Sequence, residues 1–158
     1  MEKPEPTREH QWLSRLAGDW TFEVTATGPD GATSTSRGTE RMRMLGEVWL
    51  LAEGEGEVPG GGTAASLMTL GYDTQKQRFV GTFLGSMMTN LWLYDGALDG
   101  NRLVLDTVGP SMTGGEGTTR YRDIIEVVSD DERLMTSEAE GPDGNWTQFM
   151  RMTCRRAK

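Results

Sequence analysis

Hydrophobic and polar positions change their period once along this chain. Over residues 8–16, Trp12, Leu13 and Leu16 recur at helical spacing on one face, and Thr7 stands where it can cap the first turn. The spacing predicts a short helix over 8–16 that Gly18 stops. From residue 20 the helical period disappears. Trp20, Phe22, Val24 and Ala26 alternate with Thr21, Glu23, Thr25 and Thr27, the pattern of a half-buried strand. Turn signals then recur roughly every 8–12 residues, among them Gly28-Pro29-Asp30-Gly31, Pro59-Gly60-Gly61-Gly62, Tyr72-Asp73-Thr74-Gln75, Asp99-Gly100-Asn101 and Gly141-Pro142-Asp143-Gly144. Strands at this spacing, with no second long helix, predict an all-β fold. It is a single antiparallel up-and-down β-barrel of about ten strands, with one short N-terminal helix closing an end. Residues 1–6 are polar and proline-bearing and read as a flexible tail, which leaves 7–158 as one barrel domain.

The first hairpin carries enough turn chemistry to set a register. Pro29-Asp30 suits a type I turn and Gly31 the left-handed residue after it. That loop pairs 26 with 34, 22 with 38 and 20 with 40. Trp20, Phe22 and Val24 then share a face with Gly38, Glu40, Met42 and Met44, and Glu40 points inward opposite Trp20. The same turn tetrad at 141–144 settles less. Even positions group Leu134, Thr136 and Glu138 with Gln148, Met150 and Met152. Odd positions group Met135, Ser137 and Ala139 with Phe149 and Arg151, and neither set is clearly the core face.

The stretch from Phe79 to Tyr94 is apolar on both faces. A two-residue turn at Gly85-Ser86 pairs Phe83 with Met88 and Phe79 with Trp92. The opposite face then carries Val80, Leu84, Met87, Leu91 and Leu93. A barrel strand normally keeps one wet face, so this second face calls for a cover. The N-terminal helix, through Trp12 and Leu16, or a second copy in a homodimer through residues 79–94 would supply it.

Several segments together resemble a known family: Glu9-His10-Gln11-Trp12-Leu13, Gly18-Asp19-Trp20-Thr21-Phe22, Met68-Thr69-Leu70-Gly71-Tyr72-Asp73, Gly85-Ser86-Met87-Met88-Thr89, Tyr121-Arg122-Asp123 and Trp146-Thr147-Gln148-Phe149-Met150. The pattern is similar to an uncharacterised bacterial domain family of the lipocalin-like, or calycin, group, and it spans nearly the whole chain. The resemblance implies a barrel. It brings no reaction, ligand or catalytic residue with it. In calycins the first-strand Trp often packs on a basic residue of the last strand at the closed end. Trp20 matches the first half of that pairing, and Arg151, Arg155 and Arg156 are the candidates for the second.

Composition narrows the partners. The net charge of −8 repels phosphate backbones and anionic lipid heads, so neither nucleic acid nor a membrane surface is expected as a partner. Cys154 is the one cysteine, so no intrachain disulfide forms. The N-terminus lacks an apolar core like that of a signal peptide, and a cytoplasmic location is the expectation. His10 is the one histidine and lies on the helix, outside the barrel. That leaves no histidine for haem, no zinc spacing and no Ser-His-Asp set, so no cofactor and no metal is expected.

Acid–base chemistry would fall to carboxylates. Glu40 and Asp123 are the candidates, because an inward carboxyl among aromatic residues has its pKa raised toward the useful range. The alternative for Glu40 is an ion pair with an arginine, Arg151 being one candidate, that only satisfies the closed end. Methionine is abundant, with ten residues, and flexible thioethers suit adaptable apolar surfaces as well as ordinary cores. The leading reading is a small apolar or amphipathic ligand held inside the barrel. Trp20, Met42, Met87, Met88, Trp92 and Tyr121 would line its site, Glu40 and Arg122 would orient it, and loops 58–63 and 109–117 would form the mouth. The alternatives are a cofactor-free isomerase or hydrolase using Glu40 or Asp123, and a structural or interaction protein whose barrel is filled.

Overall fold

The computed structural model describes residues 1–112 and 116–158. Residues 113–115, inside the expected mouth loop 109–117, lie outside the described residues. Helix α1 (Arg8–Ser14) opens on Thr7 with a reciprocal capping box: the Thr7 hydroxyl accepts the His10 N–H, and His10 Nδ1 accepts the Thr7 N–H at 2.9 Å. Ten antiparallel strands follow: β1 (Gly18–Thr27), β2 (Thr33–Leu45), β3 (Trp49–Glu57), β4 (Thr63–Asp73), β5 (Arg78–Gly85), β6 (Trp92–Asp99), β7 (Arg102–Pro110), β8 (Thr118–Ser129), β9 (Glu132–Glu140) and β10 (Trp146–Arg156). Each pairs with its neighbours in sequence, and β1 closes on β10, which leaves no free edge. The structure is therefore the up-and-down barrel that the turn spacing predicts.

The β1–β2 register agrees with the turn chemistry. Trp20 faces Glu40, Phe22 faces Gly38 and Ala26 faces Ser34, with Gly31 at φ +82° in the turn. Phe22 can lie flat against the wall because Gly38 and Gly56 carry no side chain; a Cβ at either position would meet its ring.

The last hairpin contains a bulge. Gln148 pairs with Glu138, but the next paired residue, Met150, faces Ser137, so Phe149 is the extra residue on β10. Beyond it, even positions of β10 share the inner face with odd positions of β9: Met150 with Ser137, Met152 with Met135, Cys154 with Arg133. No single parity could satisfy both strands, which is why neither face read as the core.

The β5–β6 register corrects the sequence-based pairing. Phe83 faces Trp92 and Phe79 faces Gly96, a shift of four residues, and 86–91 form a loop in place of a two-residue turn. An even shift keeps Phe79, Phe83 and Trp92 on the inner face. The outer face is not covered by α1, which packs against β3 and β4. Leu91 and Leu93 are 52% and 63% exposed.

All five odd-to-even connections, such as β3–β4, gather at one end, and α1 lies at the other. Near the helix the inner face is packed solid. Trp20, Met42, Leu50, Leu70, Phe79, Leu103, Ile125 and Cys154 are buried together with Trp12, Leu13 and Leu16 of the helical segment. Burying Trp12, Leu13 and, in the turn after α1, Leu16 stabilises the closed end by about 1.5–3 kcal/mol each. Higher up, side chains facing the same interior keep accessible area: Phe22, Val24, Ser66, Phe83, Trp92, Met150 and Met152 are only half-buried. The barrel is a solid plug below and a partly open cup above, whose β6–β9 side (Tyr94, Thr107, Tyr121 and Ser137) stays buried.

Candidate functional site

At the closed end several polar groups bind one another, while Arg133 Nε and Trp12 Nε1 have no hydrogen-bond partner among the described residues. The Trp20 indole N–H donates to the Leu16 carbonyl at 2.9 Å. Two guanidinium groups flank its ring, Arg156 at 4.3 Å and Arg133 at 4.7 Å. Of the three candidates on the last strand, Arg156 is the one that packs on Trp20. It also donates to the carbonyls of Ala17 (2.7 Å), Arg15 (3.1 Å) and Asp130 (2.9 Å). Glu40 does point inward, and its partner is Arg133 of β9, whose Nη2 donates to Glu40 Oε1. Arg151 is exposed on the outer face and takes no part. Cys154 is buried beside this pair. Burial, with Glu40 adding to it against Arg133, pushes its thiol up to about 11, so it remains protonated and inert. His10 is buried against the barrel end. With Nδ1 accepting from Thr7, Nε2 carries the proton and donates to the Tyr72 carbonyl at 3.0 Å, so neither nitrogen is free.

Three expected site residues lie in the packed closed end: Trp20 and Met42 in the core, and Glu40 in its ion pair with Arg133. Two more leave the interior altogether. Met87 is 67% exposed in the 86–91 loop. Arg122 points outward, where its guanidinium stacks 3.8 Å from the Trp146 ring and pairs with Asp106 and Glu138. Met88 sits on the rim, and its sulfur accepts the Trp92 indole N–H at 3.0 Å.

Trp92 and Tyr121 come together. Their rings meet edge-to-face at 5.3 Å, and Phe149, the bulge residue, meets Tyr121 at 6.1 Å. Gly109 makes room for the Trp92 ring, since any Cβ there would meet it. The Tyr121 hydroxyl donates to the Pro110 carbonyl at 2.6 Å and accepts the Met112 N–H at 3.1 Å, which ties the ring to the β7–β8 loop. Above these rings a cavity of about 640 Å³ opens between the β1–β2, β7–β8 and β9–β10 turns, with Pro29, Met112, Tyr121, Pro142 and Phe149 in its lining. A wider depression of about 880 Å³ lies against the outer face of β1–β5. The ion pairs Arg41–Asp19 and Arg43–Glu53 run beside it and match four of the charges along it.

One inward step below Tyr121 is Asp123. Tyr94 of β6 donates its hydroxyl to one carboxyl oxygen, and Ser137 of β9 donates to the other at 2.5 Å. No basic side chain among the described residues reaches it. Burial pushes its carboxyl above the usual range, against the two hydrogen bonds. Burial likewise drives the Tyr94 phenol up, and the neighbouring carboxylate adds to this. The alternation of Tyr121 and Asp123 reveals their shared face in the sequence; nothing in the sequence ties Tyr94 or Ser137 to them. Among the described residues no group of three or more His, Cys, Asp or Glu side chains is arranged to hold a metal ion.

The model of one family, described as a protein of unknown function (DUF1579), matches residues 5–156. The chain belongs to DUF1579. No curated protein matches this DUF1579 chain. Among solved structures, the S-type phycobiliprotein lyase CPES from Guillardia theta is similar at 14% identity, with 96% of this chain and 94% of that one covered and a TM-score of 0.65. Rv2717c from M. tuberculosis is similar at 13% identity, covering 98% and 100%, with a TM-score of 0.65. A further barrel, EF1p2_mFAP2b bound to DFHBI, is similar at 15% identity, covering 94% and 98%, with a TM-score of 0.50. At these identities the likeness shows that DUF1579 shares the barrel fold, and nothing finer.

Proposed function

We propose that this protein binds a small apolar or amphipathic molecule in the open half of its barrel. The observation that carries the reading is the change along the inner face, from buried side chains near α1 to half-buried ones above them, ending in a mouth cavity of about 640 Å³. Ligand pockets commonly span roughly 300–1,000 Å³ and combine apolar walls with a few polar groups. Tyr121 and Phe149 line that mouth cavity, and the half-buried Phe22, Phe83, Trp92, Asp123 and Met152 lie deeper on the inner face, where they would supply the floor, a further aromatic wall and the inward polar group. A completely filled barrel is disfavoured by the same change. Two barrels of similar fold are described as a phycobiliprotein lyase and as bound to DFHBI, which fits a container that different ligands can occupy. Native mass spectrometry of protein purified from its own host tests the reading. A co-purifying small molecule supports it, and a clean apo mass counts against it.

A second reading keeps the same cup and makes Asp123 a general acid–base. Glu40 loses that role because Arg133 neutralises it, whereas Asp123 faces two hydroxyls and no cation among the described residues. A proton-transfer enzyme would speed deuterium exchange at the α-carbon of an apolar ketone, and Asp123→Asn would abolish the excess rate. We also propose that two copies associate through the outer face of 79–94, where Leu84, Leu91 and Leu93 stand exposed.

A further inference from the structure

The polar groups of the cup are unevenly satisfied. Asp123 is a carboxyl deep in the barrel whose own strand neighbours on the inner face, Tyr121 and Ile125, are 4% and 1% exposed, yet it keeps accessible area itself. In a closed barrel that area faces the interior space. A carboxylate offers about four acceptor sites, and Tyr94 and Ser137 occupy two. One inward step away, on the adjoining strand, is Thr107. It pairs with Tyr121 across β7–β8 while Leu105 pairs with Asp123. Thr107 is 7% exposed, and its hydroxyl oxygen has no hydrogen-bond partner among the described residues. A buried hydroxyl with nothing to bond is uncommon in a finished structure, where such groups are nearly always satisfied by protein, water or ligand.

The cup therefore holds an uncompensated acid and, one inward-facing position away on β7 and level with Tyr121, an unbonded hydroxyl. We propose that the ligand of this barrel carries one basic nitrogen, with Asp123 as its counter-ion, Thr107 accepting a second N–H, and the aromatic rings packing the substituents around the cation. The proposal rests on the binding reading above and names the ligand class for it. Three physical arguments support it. A buried carboxyl without a cation is costly, and a bound cation removes that cost. Aromatic faces attract an alkylammonium group through the ring quadrupole. The nearest arginine in the sequence, Arg122, is turned outward to Asp106 and Glu138, which leaves the counter-charge to be brought in. Glu40, the other inward carboxylate, has its cation built in and would make no such demand.

The test compares two probes of one shape in the intact chain: N-methylbenzylamine, cationic at neutral pH with two N–H donors, and propylbenzene, its uncharged carbon counterpart. Binding is read by NMR titration. Wild-type protein should bind the amine about tenfold or more tighter than the hydrocarbon, the difference expected of one charge-assisted contact. Asp123→Asn, which can keep both hydrogen bonds, should bring the amine down to the hydrocarbon's affinity, and Thr107→Val should weaken the amine several-fold while sparing the hydrocarbon. Equal binding of both probes by the wild type overturns the inference, and so does an amine affinity that Asp123→Asn leaves unchanged; the apolar container stands in both cases. If neither probe binds the wild type, the container reading fails and takes this inference with it. The wild-type comparison decides the matter even if a variant does not fold.

Discussion

Arg133 of β9 and Glu40 of β2 are 93 residues apart in the chain and form an ion pair across the closed end of the barrel, against the Trp20 ring. The arginine side chain is 1% exposed and the glutamate 12%. The pair is a structural plug, and breaking one half should be worse than removing both. Glu40→Gln leaves a buried guanidinium without its counter-ion, and a loss of about 3 kcal/mol is expected. The double change Glu40→Gln with Arg133→Met should return most of that loss. Chemical denaturation midpoints of the three variants check it, and a double variant as unstable as the single one would contradict the assignment.

Asp123 should show the opposite behaviour. Its folded-state pKa is raised, chiefly by burial, so the folded protein holds this proton more tightly than the unfolded chain. The stability it contributes is fully present below the ordinary carboxylate pKa of about 3.9 and is lost as pH rises through the raised value. Tyr94 is the titratable group that faces it, and with its own pKa driven up it stays neutral throughout this range. Asp123→Asn should therefore raise the melting temperature at pH 7 by about 3 °C, as ~1 kcal/mol would in a chain of this size. The gain should vanish near about pH 3.5. Thermal melts at the two pH values give the answer. A variant less stable at pH 7 than at acid pH, relative to wild type, would reverse the sign.

Tyr121 anchors the mouth loop through its hydroxyl bonds to Pro110 and Met112. Tyr121→Phe keeps the ring and removes both bonds. A stability loss of about 1–2 kcal/mol is expected, with faster hydrogen exchange confined to the Met112 amide and its neighbours. Unchanged exchange at Met112 would show that the loop is held by other contacts.

The exposed outer face of β5–β6 predicts an effect on assembly. Leu91→Glu with Leu93→Glu should convert a dimer to a monomer in sedimentation velocity and leave the melting temperature nearly unchanged. A monomeric wild type at tens of micromolar would remove the proposed interface.

The first hairpin was legible because two independent signals agree in it. Pro29-Asp30-Gly31 sets the loop length, and the alternation from Trp20 to Ala26 then places Glu40 inward without further information. The last hairpin hid its register in Phe149, an extra residue with no glycine or other bulge signature to announce it. At Gly85-Ser86 the turn residues misled. The Ser86 N–H donates to the Ala65 carbonyl at 2.8 Å and its hydroxyl accepts the Ala65 N–H at 2.9 Å, so the chain keeps to β4 past Gly85 and turns later. Arg133 was readable in principle, two positions before Met135 on the odd-numbered face of β9. In a strand beginning Glu132-Arg133 it looks like ordinary surface charge. Asp123 shares its face with Tyr121 by alternation, but its partners Tyr94 and Ser137 come from strands whose registers were misread or left open.

The ten methionines offer the most direct test of an open cup above a solid plug. Met150 and Met152 face the cup, Met42 and Met68 lie in the plug, and Met87 is out in the rim loop. With the methionine methyls labelled with carbon-13, the protein is titrated with the neutral dye N-phenyl-1-naphthylamine and each methyl resonance is followed. The Met150 and Met152 signals should shift saturably while those of Met42 and Met68 hold still. Saturable shifts confined to Met87, or no shift at any methyl, would contradict a binding site inside the barrel.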